Sequence, residues 1–223
     1  DIDEYGKALD AVQRVIKLQP DLPFGFMVRG GILTKSGDHQ GGIAAYEEAL
    51  KIEPDHLGSN MGIGNVLKTV GRFDESVEAY KQCIKIQPLF AEAYWSLANL
   101  KTYQFATSEI EQMEEHVKNE MMQEEYRAFF HIALANAKEK EKKYNEAWHH
   151  FMDGNTMRRS GEIYDAVQTQ VTHDELIDTF TEDFIKQKKG LVGHQSNAPI
   201  FIVGLPRSGS TLVEQILASH SLV

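Results

Sequence analysis

Arg207, Ser208, Ser210 and Thr211 crowd around Gly209 in one short stretch, Gly204-Leu-Pro-Arg-Ser-Gly-Ser-Thr211. A guanidinium is permanently charged and offers a rigid fork of donors, while hydroxyls and loop amides add neutral ones. That combination suits a small anion, a phosphate or a sulfate. An Arg, three hydroxyls and Pro206 around one Gly are more than a bare turn requires. The flanking residues read as elements that would position these groups. Ile200 to Val203 is a short apolar run with the character of a buried strand, and Leu212, Val213, Ile216 and Leu217 fall on one face of a helix. Strand, small-residue loop and helix together aim backbone N–H groups and a helix N-terminus at an anion.

The nucleotide-triphosphate loop has the pattern G-x-x-x-x-G-K-[ST]. Gly204, Gly209 and Thr211 keep its glycines and final hydroxyl, but Ser210 stands where the Lys belongs. That Lys reaches the β- and γ-phosphates, and the hydroxyl after it holds Mg²⁺. Without it the loop lacks the local charge for triphosphate hydrolysis, and a shorter, less charged terminal group fits better.

At these residues the chain resembles the sulfotransferases that use 3′-phosphoadenosine 5′-phosphosulfate (PAPS). P-I-F-I-V-G over 199–204, P-R-S-G-S-T over 206–211 and L-V-E-Q-I-L-A-S-H over 212–220 look like the loop that binds the donor's 5′-phosphosulfate. Repeats first and this loop second resembles the bacterial tetratricopeptide-repeat (TPR) sulfotransferases, distantly similar to tyrosylprotein sulfotransferases. The resemblance implies a donor site built from Pro206, Arg207, Ser208, Gly209, Ser210 and Thr211. In it the amides and hydroxyls of Ser208 to Thr211 hold the 5′-phosphate, and Arg207 is the catalytic group. It stabilises charge on the bridging oxygen or the sulfuryl group as they separate. A sulfuryl group carries less charge than a phosphoryl group, so no metal is expected. The family's general base and its 3′-phosphate-binding Arg and Ser come after such a helix and are not in this sequence. The fragment alone is therefore expected to be inactive, with residues 199–223 poorly ordered or paired with another molecule.

The elements upstream repeat. Pro20, Pro54 and Pro88 are 34 residues apart, the TPR period. In that frame Gly30, Gly64 and Ala98 are the small position of each first helix. Ala8, Gly42 and Ser76 are its counterpart on the second helices, Val12, Tyr46 and Tyr80 the large position, and Val15, Ala49 and Cys83 the last small one. Small residues let antiparallel helices approach, the ring fills the seam and proline stops the second helix. Gly37-Asp38 and Gly71-Arg72 are the turns between paired helices. The chain starts inside a first repeat whose first helix is absent, so a start partway through a longer protein is expected. After Leu100 the period slips. The next second helix is expected to start at Ser108 with Glu111 in a capping box, and its acidic run from Glu109 to Glu125 reads as a solvated face. A looser repeat follows, with Phe130, Leu134 and Ala135 facing Tyr144, Ala147, Trp148, Phe151 and Gly154. Beyond it come a polar helix over 164–171 and another capped by Thr172 with Glu175. The expected fold is mainly α. A TPR α-solenoid spans 1–160 and a helical linker 161–198, and 199–223 opens a P-loop α/β sulfotransferase domain with its first strand, loop and helix.

Composition bounds the function. A net charge of −10 argues against a nucleic-acid surface or an anionic membrane face, and 42% hydrophobic with 25% charged residues is a globular balance. No run approaches the ~18 apolar residues of a membrane span. The one cysteine, Cys83, excludes an intrachain disulfide and fits a reducing, cytoplasmic compartment. It holds a packing position and reads as inert. His149 and His150 are adjacent, hence about 100° apart on a helix, and no His or Cys stands at a ligand spacing, so they read as solvated. His220 and Glu214 complement the two ends of the loop's helix. Tyr46, Tyr80, Tyr94, Trp95, Trp148 and Phe151 follow the repeat spacing and read as core, and Arg29 takes an apolar position that can face a concave groove. The partner expected there is a protein or peptide, and a homo-oligomer is the other possibility a repeat surface offers. An alternative to the enzyme is a TPR interaction scaffold with no catalytic activity.

Overall fold

The computed structural model describes residues 2–100, 102–162, 165–188, 202–204 and 209–219. They divide between two units, Asp1–Ile163 and Tyr164–Val223. In the first unit, helices α1 (Ile2–Leu18), α2 (Pro23–Lys35), α3 (His39–Ile52), α4 (Leu57–Thr69) and α5 (Phe73–Ile86) give way to α6 (Ala91–Ala98), α7 (Thr107–His116), α8 (Glu124–Lys140) and α9 (Tyr144–Ser160). Helices α2/α3, α4/α5 and α8/α9 pack as pairs, whereas α6 packs principally on α8, with α7 also against α8.

The seam of each pair shows why the small positions are small. A Cβ built on Gly30 would sit 2.9 Å from the Tyr46 ring, and one on Gly64 would sit 2.6 Å from Tyr80. Both distances are below van der Waals contact, so the glycines set how close the helices come. The second-helix position is equally tight. A Cβ on Gly42 would lie 3.2 Å from the Gly30 carbonyl oxygen, and one repeat later Ser76 Oγ donates to Gly64 O at 2.8 Å. Tyr80 is fully buried, and its hydroxyl donates to Asn65 Oδ1 at 2.7 Å. The core is handed from pair to pair: Tyr46 packs with Ile63 and Val66, Tyr80 with Ala93 and Leu97, Tyr94 with Met113, Phe130 and Leu134. Val12 is buried but Val15 is 41% exposed, because α1 packs principally on α2 and leaves its other flank bare.

Three turns share one hydrogen-bond pattern. Asp38 N donates to Leu33 O, Arg72 N to Leu67 O and Lys143 N to Lys138 O, each at 2.9 Å. The residue before each donor has a positive φ: 92° at Gly37, 81° at Gly71 and 62° at Lys142. This is the left-handed helix end that glycine adopts freely and an L-residue adopts at a cost. The α8–α9 turn keeps the geometry without the glycine.

Several expectations are corrected. Helix α7 begins at Thr107, not Ser108, because Glu109 rather than Glu111 reaches back, accepting from Ala106 N at 2.8 Å and from the Tyr103 hydroxyl at 2.7 Å. Tyr144 and Trp148 are 64% and 63% exposed, since α9 turns that stripe away from α8. The acidic run is only partly solvated: Glu109 caps α7 and Glu114 binds Lys138 at 2.6 Å.

The second unit contains α10 (Ala166–Thr179), α11 (Glu182–Lys188) and α12 (Ser210–Ala218). Asp165 caps α10 by accepting from Val167 N at 2.8 Å, so the helix runs straight through the expected start at Thr172, whose hydroxyl donates to Gln168 O instead. Among the described residues of α10 and α12, no side chain is buried. Ile202 to Gly204 lie in no regular element, and no strand occurs among the described residues. A strand needs a neighbour for its hydrogen-bond ladder, and the rest of that expected strand, Ile200 and Phe201, lies outside the described residues.

Candidate functional site

Of the six expected donor-site residues, Gly209, Ser210 and Thr211 are described, and Pro206, Arg207 and Ser208 lie outside the described residues. The expectation that 199–223 is disordered or paired likewise falls mostly outside them. Gly209 is the residue before α12, at φ 90° and ψ 13°, and its carbonyl accepts from Leu212 N at 3.0 Å and Val213 N at 3.1 Å. The requirement for glycine is torsional, because a Cβ there would meet nothing within 4 Å. Helix α12 has no side-chain cap. The amides of Ser210 and Thr211 precede its first hydrogen-bonded turn, where N–H groups lack intrahelical acceptors and the helix dipole is positive. A half-buried Ser210 hydroxyl and an exposed Thr211 hydroxyl stand at the same end. That arrangement fits an anion. Glu214 is the fifth residue of α12, beyond the first turn, so it does not complement the dipole as expected. His220 lies outside the described residues.

A second candidate surface runs along α2, α4, α6 and α8. Met27, Met61 and Trp95 recur at 34 residues on α2, α4 and α6, and Ile132 follows on α8 after 37. All four are half-buried, and Trp95 lies 5.5 Å from Phe129 of α8, ring to ring. Four positions further along each helix stand Gly31, Asn65, Asn99 and Asn136. Asn65 and Asn99 are exposed, whereas Asn136 is half-buried and donates its Nδ2 to Ile132 O at 2.8 Å. Arg29 is half-buried on α2. Apolar side chains beside carboxamides can hold an extended peptide by its side chains and backbone at once.

Sequence reasoning missed a polar cluster between α7, α8 and α9. His131 Nδ1 and His150 Nδ1 stand 3.0 Å apart, so one nitrogen carries the hydrogen that the other accepts. The two residues are 19 positions apart, and only the pairing of α8 with α9 brings them together. Burial pushes both imidazoles below their usual range; the charge of His150 adds to this at His131, and that of Lys138 at His150. Lys138 is buried and bonded to Glu114 at 2.6 Å, with Glu146 at 3.5 Å. Burial alone would lower its pKa, but the hydrogen bond and charge of Glu114, with Glu146, raise it. Among the described residues no three His, Cys, Asp or Glu side chains converge as a metal site. Cys83 is buried, and desolvation pushes its thiol up to about 12, which leaves it a packing residue.

Comparisons with known proteins agree with both parts of the chain. The tetratricopeptide repeat family matches residues 26–56 and 57–88, and the sulfotransferase family matches residues 199–223. The first unit has the fold of an all-helical TPR solenoid, and residues 199–223 are similar to the sulfotransferase family. An uncharacterized protein of Aquifex aeolicus (strain VF5) is 32% identical over 124 residues, 56% of this chain; the chain spans 16% of that relative's length. Among solved structures, MamA 41-end from Desulfovibrio magneticus RS-1 is similar with a TM-score of 0.53 at 20% identity, over 71% of this chain and 88% of that one. A crystal structure of MamA gives 0.54 at 15%, over 71% and 91%. YrrB, a TPR protein with an unusual peptide-binding site, gives 0.50 at 16%, over 69% and 78%. At these identities the likeness is one of fold. No described helix is long and apolar enough to cross a membrane.

Proposed function

We propose that the loop Pro206 to Thr211 binds the 5′-phosphosulfate end of PAPS, and that the protein is a sulfotransferase acting on an acceptor hydroxyl or amine. The observation that carries this reading is the uncapped start of α12 behind a left-handed Gly209, in a segment that matches the sulfotransferase family. The donor supplies an activated sulfuryl group for in-line displacement. The chain's part is positional and electrostatic. The amides of Ser210 and Thr211, with the hydroxyls of Ser208, Ser210 and Thr211, hold the phosphate oxygens. Arg207 stabilises the charge that grows on the leaving oxygen. No Lys stands in the loop, and none is required, because the group in flight carries less charge than a phosphoryl group. No metal is invoked. The buried, unpaired Cys83 supports a reducing, cytoplasmic setting.

The repeats then serve recognition, offering the row Met27, Met61, Trp95 and Ile132 to a protein or peptide or to a second copy of the chain. A catalytically silent scaffold is the second reading, favoured by the Trp95–Phe129 pair and by the likeness to YrrB. Isothermal titration of the full-length protein with adenosine 3′,5′-bisphosphate separates the two. Saturable binding that Arg207→Ala weakens by about tenfold or more, ~1.4 kcal/mol, is the enzyme's result. No binding to the unaltered protein is the scaffold's.

A further inference from the structure

We propose that the edge of the solenoid formed by the α5–α6 and α7–α8 turns docks a basic, apolar segment of a partner protein, at a site separate from the inner-helix row. Side chains from the α5–α6 turn and the start of α6, and from the α7–α8 turn and the start of α8, line a cavity of about 380 Å³, within the ~300–1,000 Å³ of ligand pockets. Leu89, Phe90, Met121, Met122 and Tyr126 supply its apolar wall. Met121 is 94% exposed, Leu89 46% and Tyr126 39%. Exposed methionine beside exposed leucine and tyrosine is an adaptable contact surface.

The two turns are held in place. Phe90 packs against the core cluster of Tyr80 and Leu97, which ties the α5–α6 turn to the core, and His116 at the end of α7 packs 5.0 Å from the Phe130 ring, centroid to centroid. Asn119 closes the other turn, its Oδ1 accepting from Met121 N at 3.0 Å and its carbonyl from Met122 N at 3.1 Å. Met122 packs against the core cluster of Tyr94 and Phe130. Its neighbour Met121 is thereby turned outward on an anchored turn, so its exposure belongs to the fold.

Charge selects the occupant. The cavity wall carries one carboxylate, Glu92, and no cation. Glu120 and Glu125 precede Met121 and Tyr126, and neither they nor Glu92 are in an ion pair among the described residues, whereas Lys118 is paired with Glu115 at 3.1 Å. The chain as a whole carries −10, which favours approach of a cationic partner. The fitting ligand is a segment with bulky apolar side chains flanked by Lys or Arg.

Fluorescence polarisation with the full chain and a fluorescein-labelled peptide of alternating leucine and lysine tests this. Saturable binding is expected, weakened about tenfold or more by Met121→Asp and by Leu89→Asp, and made less salt-dependent by Glu92→Lys with Glu120→Lys. Unchanged far-ultraviolet circular dichroism checks that the variants fold. A serine–lysine peptide should bind more weakly than the leucine–lysine probe. Equal or tighter binding of a leucine–glutamate peptide would overturn the proposal. So would affinity that survives Met121→Asp but is lost in Trp95→Ala, which places the peptide on the inner-helix row. A dimer in sedimentation that Met121→Asp dissociates would instead make a second copy the occupant and overturn it too. None of these results depends on bisphosphate binding at the loop.

Discussion

The two units use similar amphipathic helices to opposite effect. In the α2/α3 and α4/α5 pairs a tyrosine ring closes on a glycine, and across α5 to α8 Tyr80, Tyr94 and Phe130 are fully buried. In α10 and α12 the apolar residues are present but uncovered: Val167 is 72% exposed, Phe180 just after α10 is 59%, Leu212 62% and Ile216 59%. Helical periodicity marks a face for burial; only a second surface of matching shape turns it into core. In the solenoid that second surface is supplied 34 residues away by the next copy of the same pattern.

The largest effect expected from this contrast is at the seam. Tyr80→Ala should cost about 3–5 kcal/mol in urea unfolding, through lost burial and the cavity left behind. Phe180→Ala should shift the same transition by less than about 0.5 kcal/mol. Equal losses would erase the distinction between the units.

Smaller, and of opposite sign, is the effect at the α8–α9 turn. Lys142→Gly should stabilise the solenoid by about 1 kcal/mol by relieving the left-handed strain that Gly37 and Gly71 avoid. The same measurement on Gly71→Lys should show a loss of similar size.

The histidine pair yields a pH dependence. Folding depresses the pKa of His131 and His150, so below the unfolded value of about 6.5 the unfolded chain binds more protons than the native one. Solenoid stability should be complete above about pH 6.5 and fall as the pH drops from there through the folded pKa values. His150→Asn should flatten that slope in thermal melts between pH 7 and 5. Protection of backbone amides should sharpen the contrast further, with α4 and α5 exchanging hydrogen far more slowly than α10.

The repeat frame is legible in the sequence as far as Leu100, because glycine, tyrosine and proline recur at fixed offsets and each has one steric job. Beyond it, local signals compete. Ser108 with Glu111 has the form of a capping box, yet the Tyr103 hydroxyl and the Ala106 amide converge on Glu109 and move the helix start. Thr172 with Glu175 has the same form but sits inside α10, because Asp165 caps it earlier. Lys142 occupies a glycine's conformation without announcing it. The His131–His150 contact has no local signature at all, since helix pairing creates it. At the loop, Gly209 is readable as the turn before a helix, and its left-handed φ agrees. The functions of Arg207 and Ser208 rest on chemistry and resemblance.

Competition at the loop tests the central claim most directly. Isothermal titration of the full-length protein with adenosine 3′,5′-bisphosphate and, separately, with ATP–Mg²⁺ should show binding of the first and none of the second. Binding of ATP–Mg²⁺ with the bisphosphate excluded would contradict the assignment of Pro206 to Thr211 to a sulfated donor.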